Sequence, residues 1–301
     1  MRVTQRAVAL TSLQGLYTNL SAVNKLQQQL TSGKSISVPS DDPTGTNTAL
    51  AVRQAIAGNG QQARNISDGQ AFLNATDSTL QSMVALVQQV RTLTVQASNS
   101  GSLSDTAEQN IATQVRGLRD DLLSQANTAV QGRPLFGGAT AGSQAYQPTT
   151  GQYQGVGDGT DQRLWLTRRV SDAQSIRVDI TGPEAFGDPQ SGKDLFSVVQ
   201  NIADHATTNP AALSGDLADL DAVLARMSNA QADIGTRSAA MNTAADVNSS
   251  QQLTLRSRQS QVEDIDLAKT IMDLQIQQNS YQAALSATAK ALQPSLVDFL
   301  Q

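Results

Sequence analysis

The residues that could do chemistry are few. A single histidine, His205, stands in 301 residues, and there is no cysteine. Hydrolysis or acyl transfer by a serine or threonine wants a base beside the nucleophile, and histidine fills that role most often. His205 lies near the end of "KDLFSVVQNIADHA" (193–206), where a solvent-facing place on a helix accounts for it. The "SDDP" run at 40–43 offers paired carboxylates for acid–base work or for a cation. The same run reads as a helix start, with Asp42 as the cap and Pro43 in the first turn. "GVGDGTD" at 155–161 sets Asp158 and Asp161 among glycines. It lacks the Lys-Ser/Thr and the strand–helix setting of a phosphate loop, and reads as a turn between strands. "GLRDD" at 117–121 puts Arg119 beside acids on a helix surface, the pattern of a solvated charge cluster. This reading assigns no catalytic, cofactor-binding or metal-binding residue, and the chain is not expected to be an enzyme.

The composition favours long helices as the elements that hold these side chains. Aromatic residues make up 3% and charged residues 16% of the chain. That is too few aromatics to fill a large globular core. Ala and Gln take up much of the difference and favour helix. The formal charge of -5, with no block of Lys and Arg, argues against nucleic acid as a partner. Without cysteine, disulfides and thiolate metal sites are excluded. No apolar run reaches the length of a membrane span. The Gln- and Asn-rich polar faces, poor in Lys, do not suit a membrane surface either. "MRVTQRAVALTSLQGLY" lacks the apolar core and cleavage site of a secretory signal, so export would need a route without cleavage.

The apolar spacing predicts a fold that is mainly α: a long antiparallel coiled-coil bundle from both chain ends, with a small β-rich insert. Residues 3–31 read as a helix stopped by Gly33. Its seam is Leu13, Leu16, Leu20, Val23 and Leu30, in three–four steps with Gln27 holding the phase. At the other end the seam is Leu267, Ile271, Leu274, Tyr281, Leu285 and Leu292. Between them a seam runs from Val52 to Val90, with "GNG" at 58–60 weakening or kinking that helix. A shift in step between about 245 and 267 suggests a stutter. Composition changes over 137–192, where "RLWLTRR" and "SIRVDITG" look like strands. The expected division is a terminal coiled-coil assembly domain (1–42 and 258–301), a helical rod (43–136 and 193–257) and a small β-rich outer domain (137–192).

Each terminal helix carries a second, weaker apolar stripe: Val8, Ala22 and Leu26 on the first, Ile265, Met272 and Ile276 on the last. One seam of five or six large side chains returns less than the cost of ordering some thirty residues. The second stripes add surface only if another molecule covers them. The terminal pair is therefore expected to be loose alone and to become ordered in a polymer.

Several blocks then carry a resemblance. "QLTSGKSISVPSDDPTG" (29–45), "RNISDGQAFLNATDSTL" (64–80) and "VRTLTVQASN" (90–99) resemble the N-terminal region of the bacterial flagellin family. "GLRDDLLSQANTAVQGRPLFGG" (117–138) is similar to the helix and turn that follow it. "SYQAALSATAKALQPSLVDFLQ" (280–301) resembles the family's C-terminal helix. Within the family, "PSDDP", "GLRDDLLSQAN" and the terminal "LVDFLQ" look like the branch at the hook–filament junction. The alternative is a short flagellin that forms the filament itself. The resemblance implies an extracellular, non-catalytic ring of self-associating subunits between hook-associated protein 1 and flagellin. It also implies export without a cleaved signal, and a cytoplasmic export chaperone that guards the C-terminal helix.

Overall fold

The computed structural model describes residues 2–99 and 104–292, and the side chains of residues 7, 10–99 and 104–290. The chain divides into two compact units, residues 1–58 with 251–301, and residues 59–250.

In the first unit, α1 (Arg2–Ser32) and α7 (Leu267–Leu292) pack together. Gly33 ends α1 with a φ of 70°, and its amide bonds to the Gln29 carbonyl at 2.8 Å. This is the left-handed stop that glycine adopts without steric cost. The loop to residue 42 leads into α2 (Pro43–Ser98), where the Asp42 Oδ1 accepts from the amides of Thr44 (3.0 Å) and Gly45 (2.9 Å). Of the "SDDP" acids Asp42 thus caps α2, while Asp41 braces the preceding loop by accepting from the Ser37 and Val38 amides and pairs with Lys25 at 3.0 Å.

In the second unit α2, α3 (Asp105–Ala126), α5 (Leu195–Thr208) and α6 (Leu213–Glu263) share one core. Ile66, Leu73, Leu80, Met83, Val87 and Val90 supply the buried stripe of α2, in the three–four step of a coiled coil. Opposite them on α6 stand Leu220, Met227, Ile234 and Met241. Arg91–Asp221 and Gln70–Asn242 tie the two helices along their length in antiparallel order. Helix continues through 58–60 within α2. Asn59 is buried and exchanges bonds with Asn248: each side-chain amide donates to the other's carbonyl, at 3.3 and 3.1 Å. A buried reciprocal amide pair of this kind fixes helix register.

The composition change at 137–192 comes with a few small strands, paired in two short ribbons, the first of them just before that region. The β1 (Ala129–Val130) and β2 (Arg133–Pro134) pair turns at Gln131 and Gly132, both with positive φ, as a two-residue hairpin requires. Before this ribbon Asn127 ends α3 at Ala126 by bonding the backbone of Ala145 and Tyr146. The β3 (Thr167–Arg169) and β4 (Ser175–Arg177) strands pair antiparallel across residues 170–174, so "GVGDGTD" is not their turn. In that loop the Asp158 carboxylate accepts from Thr160, and Asp161 caps a short 3-10 turn at 162–164.

What holds this region is side chains rather than sheet. Phe136, Tyr146, Phe186 and Phe196 form a ring cluster with centroids 4.8–6.1 Å apart, in the tilted geometry that aromatic quadrupoles favour. Short α4 (Gly182–Phe186) is fixed by a capping box between Thr181 and Glu184, and a side chain at Gly182 would run into the Tyr146 ring. Buried Arg177 bonds Asp179 at 3.0 Å and Glu184 at 2.7 Å, and lies 4.6 Å over the Trp165 ring. Arg119, expected in a solvated cluster, is instead mostly covered and donates to the carbonyls of Phe196 and Thr150.

Candidate assembly surface

The chemistry-bearing residues do not converge. His205 is half-exposed near the end of α5, with its Nδ1 2.6 Å from the Asp216 carboxylate of α6. The pair clamps two helix ends. Among the described residues no group of three His, Cys, Asp or Glu could hold a metal, and no helix is long and apolar enough to cross a membrane.

The unusual feature lies in the first unit. Along α1 the covered positions are Ser12, Leu16, Asn19, Val23, Leu26 and Leu30, with Ala22 and Gln29 beside them; along α7 they are Thr270, Leu274, Gln277, Tyr281, Ala284 and Thr288. Ser12 to Leu30 without the two flanking residues, and the α7 series, step four, three, four, three, four, the repeat of a two-helix seam. Asn19 and Gln277 meet across it at 3.2 Å. Of the α1 side chains described, only Val23 is buried.

This phase is not the one that leucine spacing alone selects. Leu16, Val23, Leu30, Leu274 and Tyr281 lie in the pair, as do Ala22 and Leu26, which the spacing assigned to the outer stripe. Leu13 (44% exposed), Leu20 (37%), Leu267 (58%), Ile271 (41%) and Leu285 (43%) face away from it. So do Met272 (57%) and Ile276 (62%), with Leu10 (61%) and Tyr17 (72%), which spacing had not singled out. Ile265 is half-buried in the break before α7. The side chains of Val8 and Leu292 lie outside the described residues, as do residues 100–103 and the end of the chain from 293. The physical reason for the shift is that each helix has apolar residues on two adjacent faces. The pair uses the face whose polar members, Asn19 and Gln277, satisfy each other, and leaves the greasier edge outward. Contiguous exposed apolar surface of this kind marks an interaction site.

The root of the pair is polar. Buried Glu263 accepts from Arg53 at 2.7 Å and stands 3.4 Å from Lys34, which bonds Asp264 at 2.6 Å. The Arg53 bond holds the Glu263 carboxyl below its usual range, and the Lys34 bond does the same for Asp264. Lys34 is raised, first by its bond to Asp264. For depressed carboxyls, the stabilisation is present above the unfolded values, 4.5 for Glu and 3.8 for Asp. It is lost as pH falls through the lower folded values. The Lys34 contribution is lost only when pH rises through its elevated folded value, above 10.5. The root is therefore expected to hold across neutral pH and to loosen only below about pH 4. The Ser35 amide resonance in an acid titration checks this, and Glu263→Gln should remove most of its movement.

With this geometry in place, comparison with known proteins is decisive for the family. The bacterial flagellin N-terminal helical region matches residues 3–141 and the flagellin C-terminal helical region matches residues 217–300. The chain belongs to the bacterial flagellin family. Both family regions contain one helix of the α1–α7 pair. Among curated relatives of this flagellin-family chain, flagellar hook-associated protein 3 of Salmonella typhimurium is 26% identical over 94% of this chain and 95% of its own. Flagellin of Bacillus subtilis is 24% identical over 97% of each. A solved Vibrio parahaemolyticus structure described as a flagellar hook-associated protein superposes with a TM-score of 0.66 at 20% identity, covering 74% of this chain and 100% of its own. The last likeness shows the fold.

Proposed function

We propose that this chain is a structural, non-catalytic subunit of the bacterial flagellum, forming the junction ring between hook-associated protein 1 and the flagellin filament. The observation that carries it is the bare apolar edge on α1 and α7, in a chain that matches hook-associated protein 3 over nearly its whole length. In this reading residues 1–42 and 258–301 are the assembly domain, 43–136 and 193–257 the rod, and 137–192 an outward domain. The edge formed by Leu10, Leu13, Tyr17 and Leu20 on α1, and by Leu267, Ile271, Met272, Ile276 and Leu285 on α7, is covered by neighbouring subunits. The subunit leaves the cell through the flagellar export channel without a cleaved signal. Until then, a cytoplasmic export chaperone shields the sticky C-terminal helix. No nucleic acid, membrane or cofactor enters the role.

A labelled antibody on intact cells tests the assignment: label confined to the hook boundary is expected. A second reading, a short flagellin, is favoured by the 97% mutual coverage with the Bacillus subtilis protein. It predicts label along the whole filament and long fibres grown from pure monomer on a seed. Ile276→Asp tests the edge itself. Ile276 is 62% exposed, so the monomer's stability should move by no more than about 0.5 kcal/mol. Burying an unpaired carboxylate between subunits should weaken incorporation at least about tenfold, measured by the free subunit left in a seeded assembly.

A further inference from the structure

The helix break between α6 and α7 has an external cause. Residues 262–269, "VEDIDLAK", contain no glycine or proline, so nothing in the segment forbids a helix from continuing through it. What interrupts it is the loop after α1. In a continuous helix the Glu263 carbonyl would accept from the Leu267 amide; here it accepts from the Ser35 amide at 2.6 Å. The Ile265 amide would donate to the Gln261 carbonyl; here it donates to the Gly33 carbonyl at 3.2 Å. The Ser35 hydroxyl bonds the carbonyls of Val262 and Glu263, and Lys34 pairs with Asp264 both through its backbone and through its ammonium. Asp266 then caps the restarted helix through the Lys269 amide at 3.1 Å.

We propose that Gly33–Lys34–Ser35 is a wedge that holds α6 and α7 apart, and that its withdrawal lets the two run as one helix from Leu213 through α7. The break forgoes five helical bonds, from the amides of 265–269 to the carbonyls of 261–265; two backbone bonds to the wedge, the Ser35 hydroxyl, the Lys34–Asp264 pair and the Asp266 cap offset them. Such a near-balanced segment is a two-state element. Ordering of the N-terminal helix and breaking of the C-terminal helix become one event. The wedge can hold its place only where the end of α1, whose Gly33 turn presents it, is formed.

The test is an NMR measurement on the full-length, isotope-labelled chain, reading the Cα shifts of Asp264, Ile265 and Asp266 beside those of Gly33, Lys34 and Ser35. Ser35→Pro removes the amide and the hydroxyl together, and should move residues 264–266 into the helical range. Lys34→Ala/Ser35→Ala is a milder second variant expected to move them part of the way. Adding Ile265→Pro to Ser35→Pro should return Asp264 to extended values. Unchanged resonances from α3 and α5 report that the second unit is folded in each case. In the unaltered chain an ordered wedge with non-helical 264–266, or a released wedge with helical 264–266, supports the coupling. Released wedge residues with 264–266 still non-helical would overturn it, as would helical 264–266 beside an ordered wedge. This readout is independent of where the protein sits in the flagellum. A failed antibody localisation and a failed coupling are therefore distinguishable.

Discussion

Replacing Leu274 by aspartate is expected to abolish incorporation into the assembled structure while leaving residues 59–250 folded. Leu274 occupies a covered position in the α1–α7 seam, one turn from buried Thr270 and one from Gln277. A carboxylate there has no cation to meet from the covered positions of α1, which are Ser12, Leu16, Asn19, Ala22, Val23, Leu26, Gln29 and Leu30. Desolvating an unpaired charge costs several kcal/mol, more than a pair with one buried side chain on α1 can absorb. The helices should separate, and the outer edge that neighbours would grip loses its shape. The second unit has its own core, which contains no residue of α7, so its thermal transition should be unchanged. Normal incorporation of the variant would mean that this seam is not the pairing surface. A lost second-unit transition would mean that the two units do not fold separately.

Phe186→Ala should act in the opposite sense, destabilising the second unit and leaving the terminal pair untouched. Phe186 is fully buried among Phe136 at 4.8 Å, Phe196 at 5.9 Å and Tyr146 at 6.1 Å. Phe136 lies two residues past β2, Tyr146 further along the same loop and Phe196 at the start of α5, so the ring is the point where these segments converge. Truncating a buried phenylalanine costs about 3–5 kcal/mol. For a unit of this size that lowers the melting temperature by roughly 6–20 °C. Calorimetry reads the shift directly. A change under about 1 kcal/mol would mean that the site collapses onto the vacated volume, and that the ring cluster is not what anchors the region.

Much of this fold could be read from residue spacing, and the failures have local causes. The helices announce themselves through three–four apolar steps and through caps: Asp42 before α2, Ser104 before α3, Gly33 after α1. The seam phase of α1 was harder. Leu13, Leu16 and Leu20 form an obvious stripe, but Leu16, Asn19 and Val23 are the residues that turn to α7. Two apolar faces a small rotation apart are equally good by spacing, and the choice falls to a polar contact, Asn19 with Gln277, that lies 258 positions away in sequence. The break at 264–266 was read as a shift of step because its cause is at Gly33 and Ser35. Glycines at 58 and 60 looked like a weak point, yet α2 continues as helix past them, and Asn59 pairs with Asn248. In 137–192 the alternating residues of "SIRVDITG" suggested more sheet than forms. Arg177, Asp179 and Glu184 spend their side chains on one another and leave a three-residue strand.

In the proposed assembly α1 and α7 are completed by other copies of the chain rather than by their own pairing. Amide hydrogen exchange on the dilute, isolated chain and on the assembled form tests it most directly. The prediction is exchange in α1 and α7 at least about a hundredfold faster than in the α2 and α6 segments of the second unit when the chain is alone. That gap should close once neighbours cover the outer edge. Slow exchange in the solitary chain, equal at both termini and in the 59–250 core, would contradict it.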